Sequence, residues 1–353
     1  MITTTAYAAV SAQSKLAPYT IERRDPGPHE VLIDILYCGV CHSDIHEVRN
    51  EWGGSIYPMV PGHEIVGRVV KRGEQVVTWK IGDTVGVGYF IDSCHVCDEC
   101  REGEEQYCEK GMNTTFNGYE HDGKTPTYGG YSARITVNED YVLRIPAGMP
   151  LERVAPLMCA GITTYSPLRR FGVKAGHNVA VVGLGGLGHM GVKIARAMGA
   201  EVTVLSHSPD KRNEALALGA DNFIATGEKD AFEVNRCRFD FILDTISARH
   251  DYNAYLNLLR LDGTMTLVGI PDPVPLSALS LIMKRRKLTG SLIGGIRETQ
   301  EMLDFCAEHG VVSDVEVIPI QKINEAFERV LKSDVHYRFV IDMASLKQPC
   351  SEN

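Results

Sequence analysis

Short apolar runs separated by glycine, proline and aspartate fill the first 150 residues of the chain. Residues 30–40 (EVLIDILYCGV), 64–73 (EIVGRVVKRG) and 131–146 (YSARITVNEDYVLRIP) are rich in β-branched and aromatic side chains. Runs of this composition, bounded by turn-forming residues, are typical of β-strands. The pattern therefore predicts a compact, mostly antiparallel β domain.

The hydrophobic pattern changes near residue 151, where a long segment of helical character begins (151–171). Beyond it, apolar strand-like runs alternate with helical segments, as in the run NVAVVGL and the helix-like stretch that follows it (178–199). Strands that alternate with helices predict a parallel sheet with crossover helices. The alternation fades after residue 294. We expect the C-terminal residues to pack on the first domain, which makes the α/β part an insertion.

Composition indicates a soluble globular chain, and its length of 353 residues favours two domains. Hydrophobic residues make up 44% of the chain, charged residues make up 23%, and the formal net charge is −9. An acidic chain argues against nucleic acid or an anionic membrane as the main partner. We expect a cytoplasmic protein without a membrane span, because we find neither a signal-peptide pattern nor an uncharged apolar run of about 18 residues.

Four cysteines, Cys94, Cys97, Cys100 and Cys108, follow the spacing C-x2-C-x2-C-x7-C. Thiols in the cytoplasm stay reduced, so this cluster is more typical of a metal site than of disulfides. Four thiolates complete a closed, tetrahedral zinc site. The alternatives are four unrelated buried cysteines, which the acidic flanking residues disfavour, and an iron–sulfur cluster, for which no other feature argues.

A second set of metal-ligand residue types, Cys41, His63 and Cys159, would supply two thiolates and one imidazole. Such a set leaves the fourth position of a zinc ion open for water or substrate. Taken alone, Cys159 is more typical of a buried core thiol, and His63 fits a core histidine equally well. Cys38 has no ligand context, and we interpret it as a core residue.

A glycine-rich turn, Gly183-x-Gly185-x-x-Gly188, follows an apolar strand and opens a helix. This context is typical of a dinucleotide-binding turn, in which the backbone approaches the pyrophosphate and the helix N-terminus faces its charge. A plain tight turn is the alternative. The predicted cofactor-binding set also contains Thr163, Gly186 and Leu187.

The end of the next predicted strand favours NADP(H) over NAD(H). An NAD site places Asp or Glu there to bind the ribose 2′-hydroxyl, whereas this chain has Ser206. His207, Ser208, Lys211 and Arg212 follow, and hydroxyls and cations suit a 2′-phosphate. The alternative is that Lys211 and Arg212 form a solvated helix face.

Together these features resemble the zinc-dependent medium-chain alcohol dehydrogenases. The resemblance is greatest to their cinnamyl-alcohol-dehydrogenase branch, which includes bacterial broad-range NADPH-dependent aldehyde reductases. It covers essentially the whole chain and rests on GVCHSDIH (39–46), YPMVPGHEIVG (57–67), DSCHVCDEC (92–100), LMCAGITTYSPL (157–168), VVGLGGLGHMGVK (181–193) and GGIRETQEML (294–303).

The resemblance implies an α/β fold with a GroES-like, β-rich catalytic domain and an inserted Rossmann domain with a doubly wound parallel sheet. The catalytic domain, with both zinc sites, would span residues 1–151 and 295–353, and the NADP(H)-binding domain would span residues 152–294. A homodimer joined through the Rossmann sheets is also implied.

Roles for the metal ligands follow from the same resemblance. Cys41, His63 and Cys159 match the catalytic zinc ligands, and Glu64 matches a carboxylate that serves as an alternate ligand. The four cysteines of residues 94–108 match the structural zinc site. The resemblance therefore implies two Zn²⁺ ions per chain.

Further roles concern the reacting atoms and the cofactor. Ser43 matches the hydroxyl that contacts the zinc-bound oxygen, His46 matches the solvent end of a proton relay, and His42 matches a residue near the pyrophosphate. In the matching 2′-phosphate pocket, His207 departs from the branch's commoner serine. The residues that match this pocket are Ser206, Ser208 and Lys211.

The implied reaction is hydride transfer between NADPH and aromatic or medium aliphatic aldehydes, with zinc polarising the carbonyl. A proton would pass from His46 through a ribose hydroxyl to Ser43 and then to the substrate. Two rivals stay open: an NAD-linked polyol or sugar dehydrogenase of the same fold, and a non-enzymatic zinc-bearing relative. Candidate wall residues of an apolar substrate pocket are Trp52, Tyr57, Tyr89 and Met283.

Overall fold

The computed structural model of the chain describes residues 1–347, which form two compact units. The first unit comprises residues 1–159, 295–307 and those from 312 onward, and the second comprises residues 160–294 and 308–311. The first boundary lies after Cys159 rather than at residue 151, because the turn before Cys159 packs on strands of the first unit. Residues 348–353 of the predicted first domain lie outside the described residues. None of the described helices is long and apolar enough to cross a bilayer.

The first unit begins with nine strands and three short helices. The strands are β1 (Ile2–Ala8), β2 (Ala17–Arg23), β3 (Glu30–Val40), β4 (Ile65–Arg72), β5 (Thr84–Val87), β6 (Phe90–Asp92), β7 (Asn113–Thr114), β8 (Arg134–Asn138) and β9 (Leu143–Arg144). The helices are α1 (His42–Val48), α2 (Asp98–Glu102) and α3 (Leu151–Val154). β3 pairs antiparallel with β4 and with β8. Val31, Ile33 and Cys38 of β3 are fully buried, which explains its nearly continuous apolar run.

The second unit carries a six-stranded parallel sheet. Its strands are β10 (Asn178–Val182), β11 (Glu201–Ser206), β12 (Asn222–Ala225), β13 (Phe239–Asp244), β14 (Leu259–Leu267) and β15 (Lys287–Gly290). Its helices are α4 (Ala160–Arg170), α5 (Gly188–Ala197), α6 (Arg212–Ala217), α7 (Ala231–Val234), α8 (Tyr252–Leu256) and α9 (Ala278–Ile282). The strand order is β12-β11-β10-β13-β14-β15, so the order reverses between β10 and β13. This is the doubly wound order of a Rossmann unit, and it confirms the predicted fold class.

The segment predicted to be helical over residues 151–171 is interrupted before its middle. α3 ends at Val154, a 3₁₀ turn covers Ala155–Met158, and α4 begins at Ala160. Cys159 has φ −127° and ψ −69°, outside the helical region. Pro156 lies in the 3₁₀ turn and lacks an amide hydrogen, which weakens regular helical bonding there. Cys159 therefore lies between the 3₁₀ turn and α4 and belongs to neither helix.

The end of the described chain returns to the first unit. It forms α10 (Ile296–Glu308), β16 (Val315–Pro319), α11 (Ile323–Leu331) and β17 (Arg338–Asp342). β17 pairs antiparallel with β3, with Phe339 opposite Val40. The seven-stranded sheet of the first unit is thus built from both ends of the chain. This pairing confirms that the parallel-sheet unit is an insertion.

Candidate active site and metal centres

The four cysteines of residues 94–108 bring their sulfur atoms together on a short loop. One ligand atom from each lies within 4.8 Å of the others. Backbone hydrogen bonds, from Val96 and from Cys97 (3.4 Å to Sγ), lower the pKa of Cys94 to about 6. The hydroxyl oxygen of Ser93 lies 3.0 Å from Cys100 Sγ. Four converging sulfurs, one of them readily ionised, suit a closed tetrahedral zinc site.

A second group joins Cys41, His63, Glu64 and Cys159, all buried, with one ligand atom from each within 4.8 Å of the others. Three separate elements deliver these side chains. Cys41 precedes α1, His63 and Glu64 precede β4, and Cys159 occupies the helix break. The Sγ atoms of Cys41 and Cys159 lie 3.9 Å apart. The fold therefore brings Cys159 together with Cys41 and His63, an association that sequence spacing alone could not establish.

His63 provides the test of whether this group fits a metal. Its Nδ1 lies 3.1 Å from Asp44 Oδ1, so the carboxylate fixes the ring and the tautomer. Its Nε2 is buried and has no hydrogen-bond partner among the described residues. A buried ring nitrogen without a partner is costly unless a ligand satisfies it. Nε2 and the two thiols together fit a zinc ion.

Neighbouring charges and hydrogen bonds shift the pKa values of Cys41 and His63. The hydrogen bond with Cys159 holds the pKa of Cys41 well below its usual value despite burial, and the charge of Arg338 lowers that pKa further. Burial by itself lowers the pKa of His63, but the charge of Asp44 and its hydrogen bond outweigh this effect and raise the pKa to about 10. These effects favour a Cys41 thiolate next to a positively charged His63. A bound divalent cation would supply that positive charge instead.

Glu64 is held by a partner from the other end of the chain. Arg338 of β17 donates a hydrogen bond to Glu64 Oε1, and both side chains are buried. Glu64 Oε2 has no hydrogen-bond partner among the described residues. Gly39 makes room for this carboxylate, because a Cβ there would lie 1.9 Å from Oε2. Arg338 lies 274 residues after Glu64, so no local pattern could have indicated it.

α1 carries the predicted relay residues. The Oγ atom of Ser43 lies 3.4 Å from Cys41 Sγ, which places the hydroxyl at the metal group. His46 lies one turn later with its side chain 25% exposed, and its Nδ1 bonds to Glu51, a partner that the sequence did not reveal. The His46 ring stacks on His42 with a centroid distance of 5.8 Å. A hydroxyl near the ligands and an imidazole at the rim are thus present on one helix.

Aromatic side chains surround His63. Tyr89 meets its ring edge-on at a centroid distance of 5.3 Å, and Phe116 stacks on it at 5.8 Å. Phe116 belongs to no motif and was not predicted. Of the other predicted pocket residues, Trp52 is 44% exposed and stacks on His46, and Tyr57 donates a hydrogen bond to the carbonyl of Val48.

Met283 lies on the second unit and is 70% exposed, directly after α9. Its role in a substrate pocket stays a prediction.

The glycine-rich turn of the second unit lies between β10 and α5. Gly183 has φ +90°, which favours glycine, and a Cβ at Gly188 would lie 2.1 Å from the Gly183 carbonyl oxygen. A Cβ at Gly185 would meet nothing within 4 Å, so the turn is open at that point. The turn stands at the carboxyl end of β10, beside the reversal of strand order, where doubly wound sheets bind dinucleotides. Gly186 and Leu187 complete the turn.

The end of β11 presents Ser206, which is buried and accepts a hydrogen bond from the Ser208 amide (3.2 Å). Lys211 donates to the carbonyl of Leu184 in the glycine-rich turn (3.0 Å), which links the two predicted parts of the cofactor site. Arg212 lies 5.0 Å over the ring of Phe223 on β12, and its contact with a phosphate stays a prediction.

His207, Thr163 and His42 complete the predicted cofactor set. His207 lies near Gly227, where a Cβ would meet its ring at 3.8 Å. Thr163 is buried on α4, and His42 is exposed at the start of α1 in the first unit.

Comparison with known proteins identifies the family. Residues 27–147 match the alcohol dehydrogenase GroES-like domain, and residues 186–308 match the zinc-binding dehydrogenase domain. The chain is 56% identical to the NADP-dependent alcohol dehydrogenase C 1 of Mycolicibacterium smegmatis, over 98% of this chain and 100% of the other. This chain belongs to the zinc-binding alcohol dehydrogenase family. The predicted family is therefore confirmed.

Three further proteins are similar to this alcohol dehydrogenase. It is 55% identical to the aldehyde reductase YahK of Escherichia coli, over 97% of this chain and 98% of the other. Among solved structures, it is similar to a cinnamyl alcohol dehydrogenase of Sorghum bicolor, with a TM-score of 0.95, 44% identity and full coverage of both chains. The Helicobacter pylori enzyme CAD, complexed with NADP(H), has a TM-score of 0.91 and 43% identity, over 97% of this chain and 99% of the other.

We expect each of the two metal groups to bind one zinc ion independently of the other. We expect Cys108→Ser to reduce the bound zinc from about two ions per chain to about one and to lower the unfolding temperature, because zinc stabilises the folded state. Atomic absorption and a thermal melt measure both quantities. Cys237→Ser, which changes an exposed thiol outside both groups, is the matched control and keeps two ions. Two ions retained in Cys108→Ser would contradict the assignment.

Proposed function

We propose that this alcohol dehydrogenase is an NADP(H)-dependent aldehyde reductase, which transfers a hydride between NADPH and aromatic or medium aliphatic aldehydes. The supporting observation is the buried set of Cys41, His63 and Cys159, with a ring nitrogen that no described protein group satisfies. Relatives that match 98% and 97% of the chain are named an NADP-dependent alcohol dehydrogenase and an aldehyde reductase, respectively. A reducing compartment, the cytoplasm, suits the protein, because oxidation of the thiols would remove the metal donors.

The ligand set determines how zinc takes part. When bound, zinc polarises a carbonyl and stabilises negative charge on its oxygen, and the nicotinamide supplies the hydride. Cys41, His63 and Cys159 would hold the metal, and three protein ligands would leave one position for the substrate. Asp44 orients the imidazole of His63. Glu64, paired with Arg338, is a nearby carboxylate and the alternate ligand.

Ser43 and His46 handle the proton. The Ser43 hydroxyl, beside the ligands, donates to the oxygen that gains charge as the hydride is transferred. His46 replaces that proton at the rim of the site, where its side chain is 25% exposed to solvent. Glu51 bonds to Nδ1 of His46 and leaves Nε2 to exchange the proton.

The surroundings of His63 indicate the substrate class. Tyr89 and Phe116 supply aromatic surface beside the metal group, which suits an aldehyde with an aromatic or aliphatic body. An apolar wall discriminates weakly, since one methylene changes binding by only about 1–3 kcal/mol. We therefore expect a broad substrate range.

A steady-state panel of aldehydes, with NADPH and with NADH, tests the activity on protein of known zinc content. We expect Ser43→Ala to reduce kcat about 10²- to 10⁴-fold with both zinc ions retained, because proton transfer to the substrate is lost. Ser43→Thr keeps a hydroxyl and is the matched control, with most of the activity retained. Undiminished turnover in Ser43→Ala would exclude the relay. Faster turnover of polyols with NAD would favour the polyol dehydrogenase instead.

Cofactor choice depends on Ser206. We expect Ser206→Asp to weaken NADPH binding by on the order of 100-fold, because a carboxylate would repel the 2′-phosphate. The same change should improve NADH binding, since a carboxylate accepts hydrogen bonds from the ribose 2′-hydroxyl. The ratio of kcat/KM for the two cofactors measures this effect, and Ser206→Ala is the uncharged control. Unchanged NADPH preference in Ser206→Asp would place the 2′-phosphate elsewhere.

We also propose a homodimer joined through the parallel sheets. β15 is the last strand of the described sheet, and α9, which precedes β15 in the chain, exposes Leu279 and Ile282, which are 65% and 69% accessible. An unpaired strand edge flanked by apolar side chains suits pairing with a second copy.

Substitution on α9 tests this assembly. We expect Leu279→Asp to shift the protein towards monomer in sedimentation equilibrium at micromolar concentration. Val234→Asp, at an exposed apolar position on α7, is the control and leaves the dimer intact. A monomeric mass for the unmodified protein would refute the homodimer.

A further inference from the structure

The loop that follows β13 lies directly against the glycine-rich turn. Thr245 donates from its backbone (3.1 Å) and from its hydroxyl (2.7 Å) to the carbonyl of Val182. A Cβ on Gly183 would lie 3.0 Å from the Thr245 hydroxyl and 3.1 Å from the side chain of Ile246. On the other side, a Cβ on Gly269 would lie 2.3 Å from the Ile246 carbonyl oxygen. Thr245 and Ile246, at the start of this loop, therefore pack closely against Gly183 after β10 and against Gly269 after β14.

Asp244 and His250 fix the two ends of this loop to each other. Asp244, the last residue of β13, is fully buried and accepts a hydrogen bond from the Ile246 amide through Oδ1 (3.1 Å). Its Oδ2 lies 2.7 Å from Nε2 of His250. The other ring nitrogen of His250, Nδ1, lies 2.8 Å from the carbonyl oxygen of Ala248. One imidazole thus spans the loop.

The partners of His250 define its protonation. A carbonyl oxygen only accepts hydrogen bonds, so Nδ1 carries a hydrogen. An ionised carboxylate also only accepts, so Nε2 carries a second hydrogen. Two hydrogens on one imidazole make it a cation, and the buried carboxylate of Asp244 balances its charge.

The groups around His250 support this state. Asp251, at the start of α8, is a second carboxylate whose charge favours the cation. Tyr252 and Tyr255 of α8 meet the ring edge-on, with centroid distances of 5.0 and 5.2 Å. Burial raises the pKa of both tyrosines, that of Tyr255 to about 12, so both stay neutral near physiological pH. The two tyrosines therefore add no charge to the surroundings of His250.

We propose that His250 is a positioning residue for the dinucleotide, which in its cationic form ties Asp244 to Ala248 and fixes the loop beside the glycine-rich turn. This inference rests on the proposed function, because it assumes that the dinucleotide binds at the reversal of strand order. Loss of one proton removes one of the two donors, and the loop is then held by a single hydrogen bond from this ring.

The raised pKa of His250 determines how cofactor affinity changes with pH. Burial by itself lowers the pKa of His250, but the hydrogen bond and charge of Asp244 outweigh it, so the pKa lies above the ordinary 6.5. A raised pKa means that the stabilising effect is complete below pH 6.5 and is lost as pH rises through the folded-state value. Cofactor affinity should therefore fall with rising pH.

Calorimetric titration with NADP⁺ between pH 6.5 and 9 tests the proposal on the zinc-loaded protein. We expect His250→Gln to bind about three- to tenfold more weakly than the unmodified protein at pH 6.5, the value of about one hydrogen bond. The difference should shrink as the pH rises, because the cation that holds the loop is lost. Titration of the 2′-phosphate is common to both proteins and cancels in the ratio of their affinities.

His177→Gln is the matched control. It makes the same substitution in the same unit, immediately before β10 and hence at the opposite edge of the sheet. This variant should match the unmodified protein at every pH. A constant ratio between His250→Gln and the unmodified protein across the pH range, or no difference at all, would overturn the proposal.

A second measurement needs no variant. In nitrogen-15 NMR of histidine-labelled protein, we expect both ring nitrogens of His250 to be protonated at pH 7, with a titration above that of a free histidine. A neutral ring at pH 7 would overturn the proposal. Failure of the proposed function gives a different result, since the protein would then bind neither NADP⁺ nor NADPH at any pH.

Discussion

The buried carboxylate of Asp44 is the interaction on which the metal centre depends. It accepts hydrogen bonds from the backbone amides of Cys41 (2.9 Å) and Gly62 (3.0 Å), and it binds Nδ1 of His63. One side chain therefore fixes the starts of α1 and β4 and orients two of the three predicted zinc ligands. Removing one partner of such a buried charged pair typically costs about 3–5 kcal/mol, which is a large share of the stability of an ordinary domain. Tyr131, also fully buried, lies 3.4 Å from the same carboxylate and encloses it.

Around this carboxylate the fold brings together residues that are far apart in sequence. β3 delivers Cys41, and β17, which pairs with β3, delivers the arginine that neutralises Glu64. In the inserted unit, the glycine-rich turn lies at the carboxyl end of β10 and excludes a side chain at Gly188. The antiparallel sheet that positions the metal group is built from both ends of the chain.

The parts of the site that could be predicted are those whose signals are contiguous. The cysteines of residues 94–108 and the turn at Gly183 each occupy a short stretch, so spacing alone indicates their chemistry. Cys159 illustrates the limit, because residues 151–171 predict a helix, and the break that places this buried thiol beside the other ligand residues depends on local packing. Phe116, Glu51 and Arg338 carry no motif at all, and only folding shows that they contact His63, His46 and Glu64.

The separation of the two metal groups along the chain has a consequence for biosynthesis. The ligands of one group span residues 94–108, so all four have left the ribosome within a single short stretch of translation. The other group waits for Cys159, and the charge partner of Glu64 waits for residue 338, close to the end of synthesis. The four-cysteine group is therefore complete early in synthesis, whereas the group of Cys41, His63, Glu64 and Cys159 obtains its complete surroundings only near the end.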